Sequence, residues 1–269
     1  SAELLLEHAE QVARRLYDMA RNMATVPTVA RTHGRPAQLT SVGKRAADWM
    51  QELLGAMGSM QDALSNYAAR GVKGAVGTNA DMARTLWPHQ PAGPVASQRW
   101  AAATEATAEL ARRVAREMAG GFDGMMVSTG QCYPRSADLP VASAALQLAA
   151  ACGTIATSIR LMSALGLVVE NPETHVGSSA MPHKSNPRYS ERIHSLQVVA
   201  RGYAGMLQEL AGSQWLEGDV STSAARRIAL PGLFHTVDSV LANTAWVLDH
   251  MRYVWVAIEA EVDRWVPEM

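Results

Sequence analysis

The run Asp138-Leu139-Pro140-Val141-Ala142-Ser143-Ala144-Ala145-Leu146-Gln147-Leu148-Ala149-Ala150-Ala151-Cys152-Gly153-Thr154-Ile155-Ala156-Thr157-Ser158-Ile159 decides the fold class. Asp138 can cap a helix whose first turn holds Pro140, where a missing N–H costs nothing. The helix is expected to reach about Leu165, roughly 40 Å at 1.5 Å per residue. From Leu139 to Ile159 it carries no charge. That length could span a bilayer, but Gln147, the serines and threonines, and alanines in place of large aliphatics fit a helix buried in a bundle.

Similar helices lie on both sides. Ser1 to Ala24 has Leu5, Val12, Leu16 and Met19 at helical spacing, stopped at Val26-Pro27. Thr40 or Ser41 caps the next, which runs through Trp49, Leu53, Met57, Met60 and Leu64 to Arg70 and stops at Gly71. Three glycines between 71 and 77 cannot continue a helix cheaply, which predicts a tight, specialised connection. After a loop from Pro88 to Pro94, Ser97 opens a helix to about Ala119. Asn186-Pro187 opens one to about Gly212, and Pro231 the last, to about Val266. Period-two alternation is sustained nowhere. The expected fold is all-α, a bundle of long helices in one elongated unit with no internal repeat.

Composition excludes several functions. The 269 residues carry 24 Lys+Arg against 25 Asp+Glu, a net charge of -1, so no basic footprint for nucleic acid exists. Two cysteines cannot build a disulfide framework, and they fit a reducing, cytoplasmic setting. The N-terminal stretch lacks a secretory signal's basic and apolar regions. Neither a dinucleotide fingerprint nor a phosphate-cradling loop after a strand is present, so no cofactor is expected. A charged fraction of 18% lies below the usual range of about 25% and suggests extra buried surface between subunits.

Two loops concentrate reactive groups. Ala30-Arg31-Thr32-His33-Gly34-Arg35-Pro36-Ala37-Gln38 places an imidazole between arginines, where it can move protons near neutral pH, although a lone loop histidine is ordinarily a surface residue. Val176 to Pro187 combines Gly177, Ser178, Ser179, Pro182 and Lys184 just ahead of a helix N-terminus. Hydroxyls, a cation and a helix dipole suit a developing carboxylate-like charge, and polar residues at helix starts also have a purely capping use.

The segment Gly177-Ser178-Ser179-Ala180-Met181-Pro182-His183-Lys184-Ser185-Asn186-Pro187 resembles the signature of the fumarase/aspartase superfamily, Gly-Ser-x-x-Met-x-x-Lys-x-Asn, at every fixed position. Arg31-Thr32-His33-Gly34 resembles that superfamily's histidine segment. Arg70 to Thr78, Thr129 to Arg135, and Gln214 to Glu217 with Ser223 and Arg226-Arg227 are most similar to the adenylosuccinate lyase branch.

The resemblance implies a metal-free β-elimination of fumarate from adenylosuccinate, giving AMP, and from the related succinylcarboxamide ribotide of purine biosynthesis. It implies Ser178 as the base, His33 as the acid on the leaving nitrogen and Glu191 as its carboxylate partner. Lys184, Asn186 and Thr32 would meet the succinyl carboxylates, Gln131 the substrate, and Ser223, Arg227 and Arg192 the nucleotide phosphate. It also implies a homotetramer with active sites shared between subunits around a helical core. Residues 1–269 correspond to the central domain, with the small flanking domains and a Thr-Ser loop expected to be absent. Gly218 departs from the branch, many of whose members have arginine there. The argininosuccinate lyase and carboxymuconate cycloisomerase branches share the serine loop, and a silent helical assembly module is the reading from another class.

Overall fold

A computed structural model describes residues 1–86, 94–117, 124–171 and 185–268. Helix α1 spans Ala2–Asn22, and strands β1 (Pro27–Thr32) and β2 (Arg35–Ser41) follow. Then come α2 (Val42–Ser65), α3 (Ala80–Leu86) and α4 (Pro94–Glu117). A 3-10 turn at Arg135–Asp138 leads into α5 (Leu139–Ala164), and a short strand β3 (Val168–Val169) precedes α6 (Arg188–Leu210). The described residues end with α7 (Ser223–His250), β4 (Arg252–Tyr253) and α8 (Trp255–Trp265). Helices dominate, as the periodicity predicts.

The described residues group into two compact units. One comprises 1–61, 141–204 and 230–269; the second comprises 62–140 and 205–229. The division falls inside α2, α5, α6 and α7, so no loop marks it.

The first unit is built on apolar helix faces. In α1, Leu5, Ala9, Val12 and Leu16 are buried on one stripe. Helix α5 is buried over most of its circumference, including Ala144, Ala145, Leu148, Ala149, Cys152, Ile155 and Ile159. Its alanines let neighbouring backbones approach, and each buried Leu or Ile contributes about 1.5–3 kcal/mol over exposure. It is long and apolar enough to cross a membrane by length and composition, and 61% of that window is buried inside the protein. Burial holds the Cys152 thiol protonated, raising its pKa to about 12.

The loop expected at Ala30–Gln38 is an antiparallel hairpin. Thr32 pairs with Arg35 across the two-residue turn His33-Gly34, whose φ values are 53° and 76°. Two positive φ angles are the pattern of a type I′ turn, which matches the twist of the flanking strands. Thr28 and Val29 are buried, and a register shift after Ala30 breaks simple alternation, which hid the strands from a period-two reading. As expected, Ser41 caps α2, accepting from Lys44 N at 3.0 Å.

Three helix readings are corrected. Pro231 lies inside α7, which begins at Ser223. It forfeits one backbone bond, and an alanine-rich first turn carries the helix through. The last helical stretch breaks at β4, so α8 is separate. Asp138 ends the 3-10 turn with its carboxylate engaged elsewhere, so it does not cap α5.

Candidate active site

The predicted site residues divide between the two units. In the first, His33 sits exposed at the hairpin tip, in a left-handed conformation that an ordinary side chain adopts only at some cost. Thr32 is exposed beside it and borders a cleft of about 430 Å³ with Arg31, Arg45 and Lys44. Arg31 is anchored by an ion pair with Glu261 on α8. Burial lowers the Arg45 pKa, and its guanidinium donates to the Val29 carbonyl at 3.2 Å.

The start of α6 carries Asn186, Glu191 and Arg192, all exposed. Asn186 and Glu191 line one cleft of about 520 Å³ with Arg160 of α5. This helix end is fixed by Glu170, a buried carboxylate that accepts from Tyr189 N at 2.8 Å, and from Ser190 N and Ser190 Oγ at 2.7 Å each. The first-turn N–H groups of a helix have no internal partner, and Glu170 satisfies two of them with a full negative charge at the positive dipole end. The Arg192 guanidinium lies over the Tyr189 ring at 4.9 Å, and Tyr189 stacks on Trp246 at 3.8 Å. Arg192 is therefore held by an aromatic platform. Among the described residues, no hydrogen bond or ion pair joins His33 to Glu191. Ser178 and Lys184 lie outside the described residues.

In the second unit, Gln131 is exposed, Ser223 half-buried and Arg227 exposed. Ser223 and Arg227 are one turn apart on α7 and share a face, as the spacing predicts. Arg226 points differently and does not lie on a solvated face. Its Nε donates to Asp138 Oδ2 at 2.7 Å, and a terminal nitrogen donates to the Tyr133 hydroxyl. Asp138, only 3% exposed, also accepts from the Tyr133 hydroxyl at 2.7 Å and the Tyr67 hydroxyl at 3.2 Å. Burial raises the pKa of both phenols, so both stay neutral donors. Burial opposes the Arg226 charge, but the hydrogen bond and charge of Asp138 leave its pKa raised.

The same segments are tied along their backbones. Gln131 N donates to Glu217 O at 2.5 Å, Gln214 Nε2 to Cys132 O at 3.1 Å, and Arg135 Nε to Thr222 Oγ1 at 3.2 Å. At Gly130 a Cβ would lie 2.0 Å from Glu217 O, so only glycine permits this approach. Gly218 has φ 153°, and a Cβ there would meet Gln131 Cβ at 3.0 Å. An arginine at 218 would be strained in this backbone, which accounts locally for the departure from the branch pattern. The glycine-rich connection is tight as expected: Gly74 N donates to Thr78 O at 2.7 Å, and Arg70 donates to the carbonyls of Lys73, Gly74 and Gly130.

Sequence reasoning missed Glu170, Tyr67, Tyr133 and the inward role of Asp138 and Arg226. The available signal was an isolated carboxylate at the edge of a long uncharged run, which must find a partner if buried.

A lyase family matches residues 90–202, a span that contains the 177–187 signature. The chain is 34% identical to the adenylosuccinate lyase of Saccharomyces cerevisiae over 90% of its length, covering 47% of that protein. It is 36% identical to that of Schizosaccharomyces pombe over 89% of its length, covering 46%. A fumarate lyase from Mesorhizobium sp. BNC1 shares the fold with a TM-score of 0.76 at 20% identity, over 97% of this chain and 53% of that one. The chain is therefore similar to a family of lyases in its sequence and shares the fold of the fumarate lyase. Among those lyases its sequence is similar to adenylosuccinate lyases, and it spans about half the length of the curated relatives it matches.

Proposed function

We propose that the protein containing this chain is a C–N lyase that releases fumarate from adenylosuccinate, and from succinylcarboxamide ribotide, in purine biosynthesis. The observation that carries this reading is identity of 34–36% to adenylosuccinate lyases over about nine tenths of the chain. In the reaction, Ser178 as an alkoxide takes the proton beside the succinyl carboxylate. The electron pair rests on that carboxylate as an aci-anion, held by Lys184, Asn186 and Thr32. Collapse of the aci-anion breaks the C–N bond, and His33 gives a proton to the leaving nitrogen, so fumarate and AMP leave with atoms and charge balanced. Glu191 favours the imidazolium form required of His33. Gln131 holds the substrate, and Ser223, Arg227 and Arg192 hold the phosphate.

In this reading each site draws residues from several subunits of a cytoplasmic homotetramer, so His33 meets a carboxylate only after assembly. Exposed Leu54, Leu161, Val198 and Val199 on the long helices support that association. The test is fumarate release from adenylosuccinate by the full-length protein beside Ser178→Ala, with sizing on the same samples. Release that disappears in the variant of an intact tetramer supports the reading. Release that persists in Ser178→Ala removes Ser178 as base, and no release from the unmodified tetramer removes the activity.

A further inference from the structure

We propose that Asp138, with Tyr67, Tyr133 and Arg226 around it, is a positioning cluster that fixes Gln131 and the Ser223–Arg227 pair against each other and so sets how tightly the nucleotide phosphate is held. This rests on the nucleotide-binding role proposed above for those three residues. The cluster itself touches no substrate.

Gln131 belongs to the segment ahead of α5, and Ser223 and Arg227 to the start of α7, about ninety residues later. Each lies close in sequence to a member of the cluster. Tyr133 is two residues after Gln131, and Arg226 lies between Ser223 and Arg227. The Asp138 carboxylate gathers both segments, taking Tyr133 on Oδ1 at 2.7 Å and Arg226 on Oδ2 at 2.7 Å. The Tyr133 hydroxyl closes the triangle, since it donates to Asp138 and accepts from Arg226. Tyr67 brings in a third segment by donating to the same Oδ1. Loss of one corner therefore loosens the registration of two binding elements together.

A carboxylate–guanidinium pair with one partner buried and the other half-buried is a poor way to gain stability, because desolvation offsets much of the attraction. Its directional bonds do fix geometry. Arg226 and Arg227 are neighbours on a helix and so project about 100° apart. Seating Arg226 on Asp138 turns Arg227 and Ser223 toward a different direction in a defined way. Apolar packing at position 226 would leave that rotation to weaker, less directional contacts.

The experiment compares binding of AMP and of adenosine by the full-length protein, its Tyr133→Phe and Asp138→Asn variants, and Arg227→Ala. Fold is monitored by thermal melting, and steady-state kinetics use adenylosuccinate. Tyr133→Phe keeps the ring and removes two hydrogen bonds to charged groups, one given to Asp138 and one taken from Arg226. It is expected to weaken AMP about tenfold, to leave adenosine within about twofold, and to raise KM more than it lowers kcat. Asp138→Asn is expected to act in the same direction. Equal weakening of AMP and adenosine, or no change in either, overturns the proposal, because a merely structural role would not single out the phosphate. Should Arg227→Ala retain the full preference for AMP over adenosine, the assigned phosphate site falls and the proposal with it. Should Arg227→Ala lose that preference while Tyr133→Phe and Asp138→Asn keep it, the phosphate site stands and the positioning role alone is overturned.

Discussion

The two units reach the same end, a rigid platform for a few polar side chains, with different shares of apolar packing and charge-assisted bonding. The largest fully buried side chains of the first unit include Leu5, Leu16, Leu53, Leu148, Ile155, Ile159, Ile193, Leu233 and Leu241. Among the described residues of the second, Leu207 alone belongs to that set; both units bury polar groups, Glu170 and Ser190 in the first and Arg135 and Asp138 in the second, so the difference lies in the apolar share. Packing energy scales with buried area and is non-directional, so the first unit depends on volume. Charge-assisted hydrogen bonds depend on which atom faces which, so the second depends on identity.

Cavity formation should give the largest effect. Leu148→Ala is expected to cost about 3–4 kcal/mol in urea unfolding, whereas Leu148→Met, which nearly conserves volume, should cost under about 1.5 kcal/mol. In the second unit, shape conservation should not help. Asp138→Asn preserves the outline and leaves the partly exposed Arg226 without its countercharge, at an expected cost of about 2–3 kcal/mol by the same measurement. An Asn variant no costlier than Leu148→Met would break the contrast between volume and identity.

One substitution made in both units sharpens it further. Tyr133→Phe removes two hydrogen bonds and should cost about 1–1.5 kcal/mol at pH 7. Among the described residues the Tyr253 hydroxyl reaches the Met19 sulfur alone, at 3.6 Å, so Tyr253→Phe should be nearly neutral there. Alkali reverses the second result. Burial raises the Tyr253 pKa from 10.0 to about 12, so between those values the unfolded phenol ionises while the folded one does not. The unfolded state then binds fewer protons, and wild-type stability falls as pH rises from 10 to 12. Tyr253→Phe escapes that loss, so the variant should become the more stable protein by up to about 2 kcal/mol in unfolding curves recorded across that range. Ser41→Ala removes the α2 cap and should cost about 1 kcal/mol, read as a lowered melting temperature.

The helices were legible because their signals are local. Asn186-Pro187 before α6 and Ser41 before α2 mark those starts within a residue or two. The hairpin was not legible, because a register shift after Ala30 and Pro36 in β2 spoil alternation, and the His33-Gly34 turn lacks the common Asn-Gly or Asp-Gly pair. Pro231 misled because a proline inside a helix costs only what its neighbours can offset. The division into units left no trace because it falls within helices, where composition does not shift. At the candidate site, the family motifs named the exposed groups, and Ser223 with Arg227 fell on one helical face as their spacing requires. The carboxylates beneath, Glu170 and Asp138, were hidden because their partners are distant in sequence. Burial turned Asp138 from an apparent helix cap into a three-way acceptor.

The order in which the first unit is assembled follows from its thread. Its long-range ties join α1 and β1 to the far end of the chain: His8 to Asp238, Arg15 to Asp249 and Arg31 to Glu261. During synthesis at about 5–20 residues per second, α1 would leave the ribosome roughly 10–50 s before those partners. For that interval α1 lacks the α7 carboxylates, Asp238 and Asp249, that pair with His8 and Arg15 in the finished protein. Helix α1 is thus a stretch that a nascent-chain chaperone would meet before its partners exist, and a synonymous change that slows translation between α1 and α7 would lengthen that interval without altering one residue of the product.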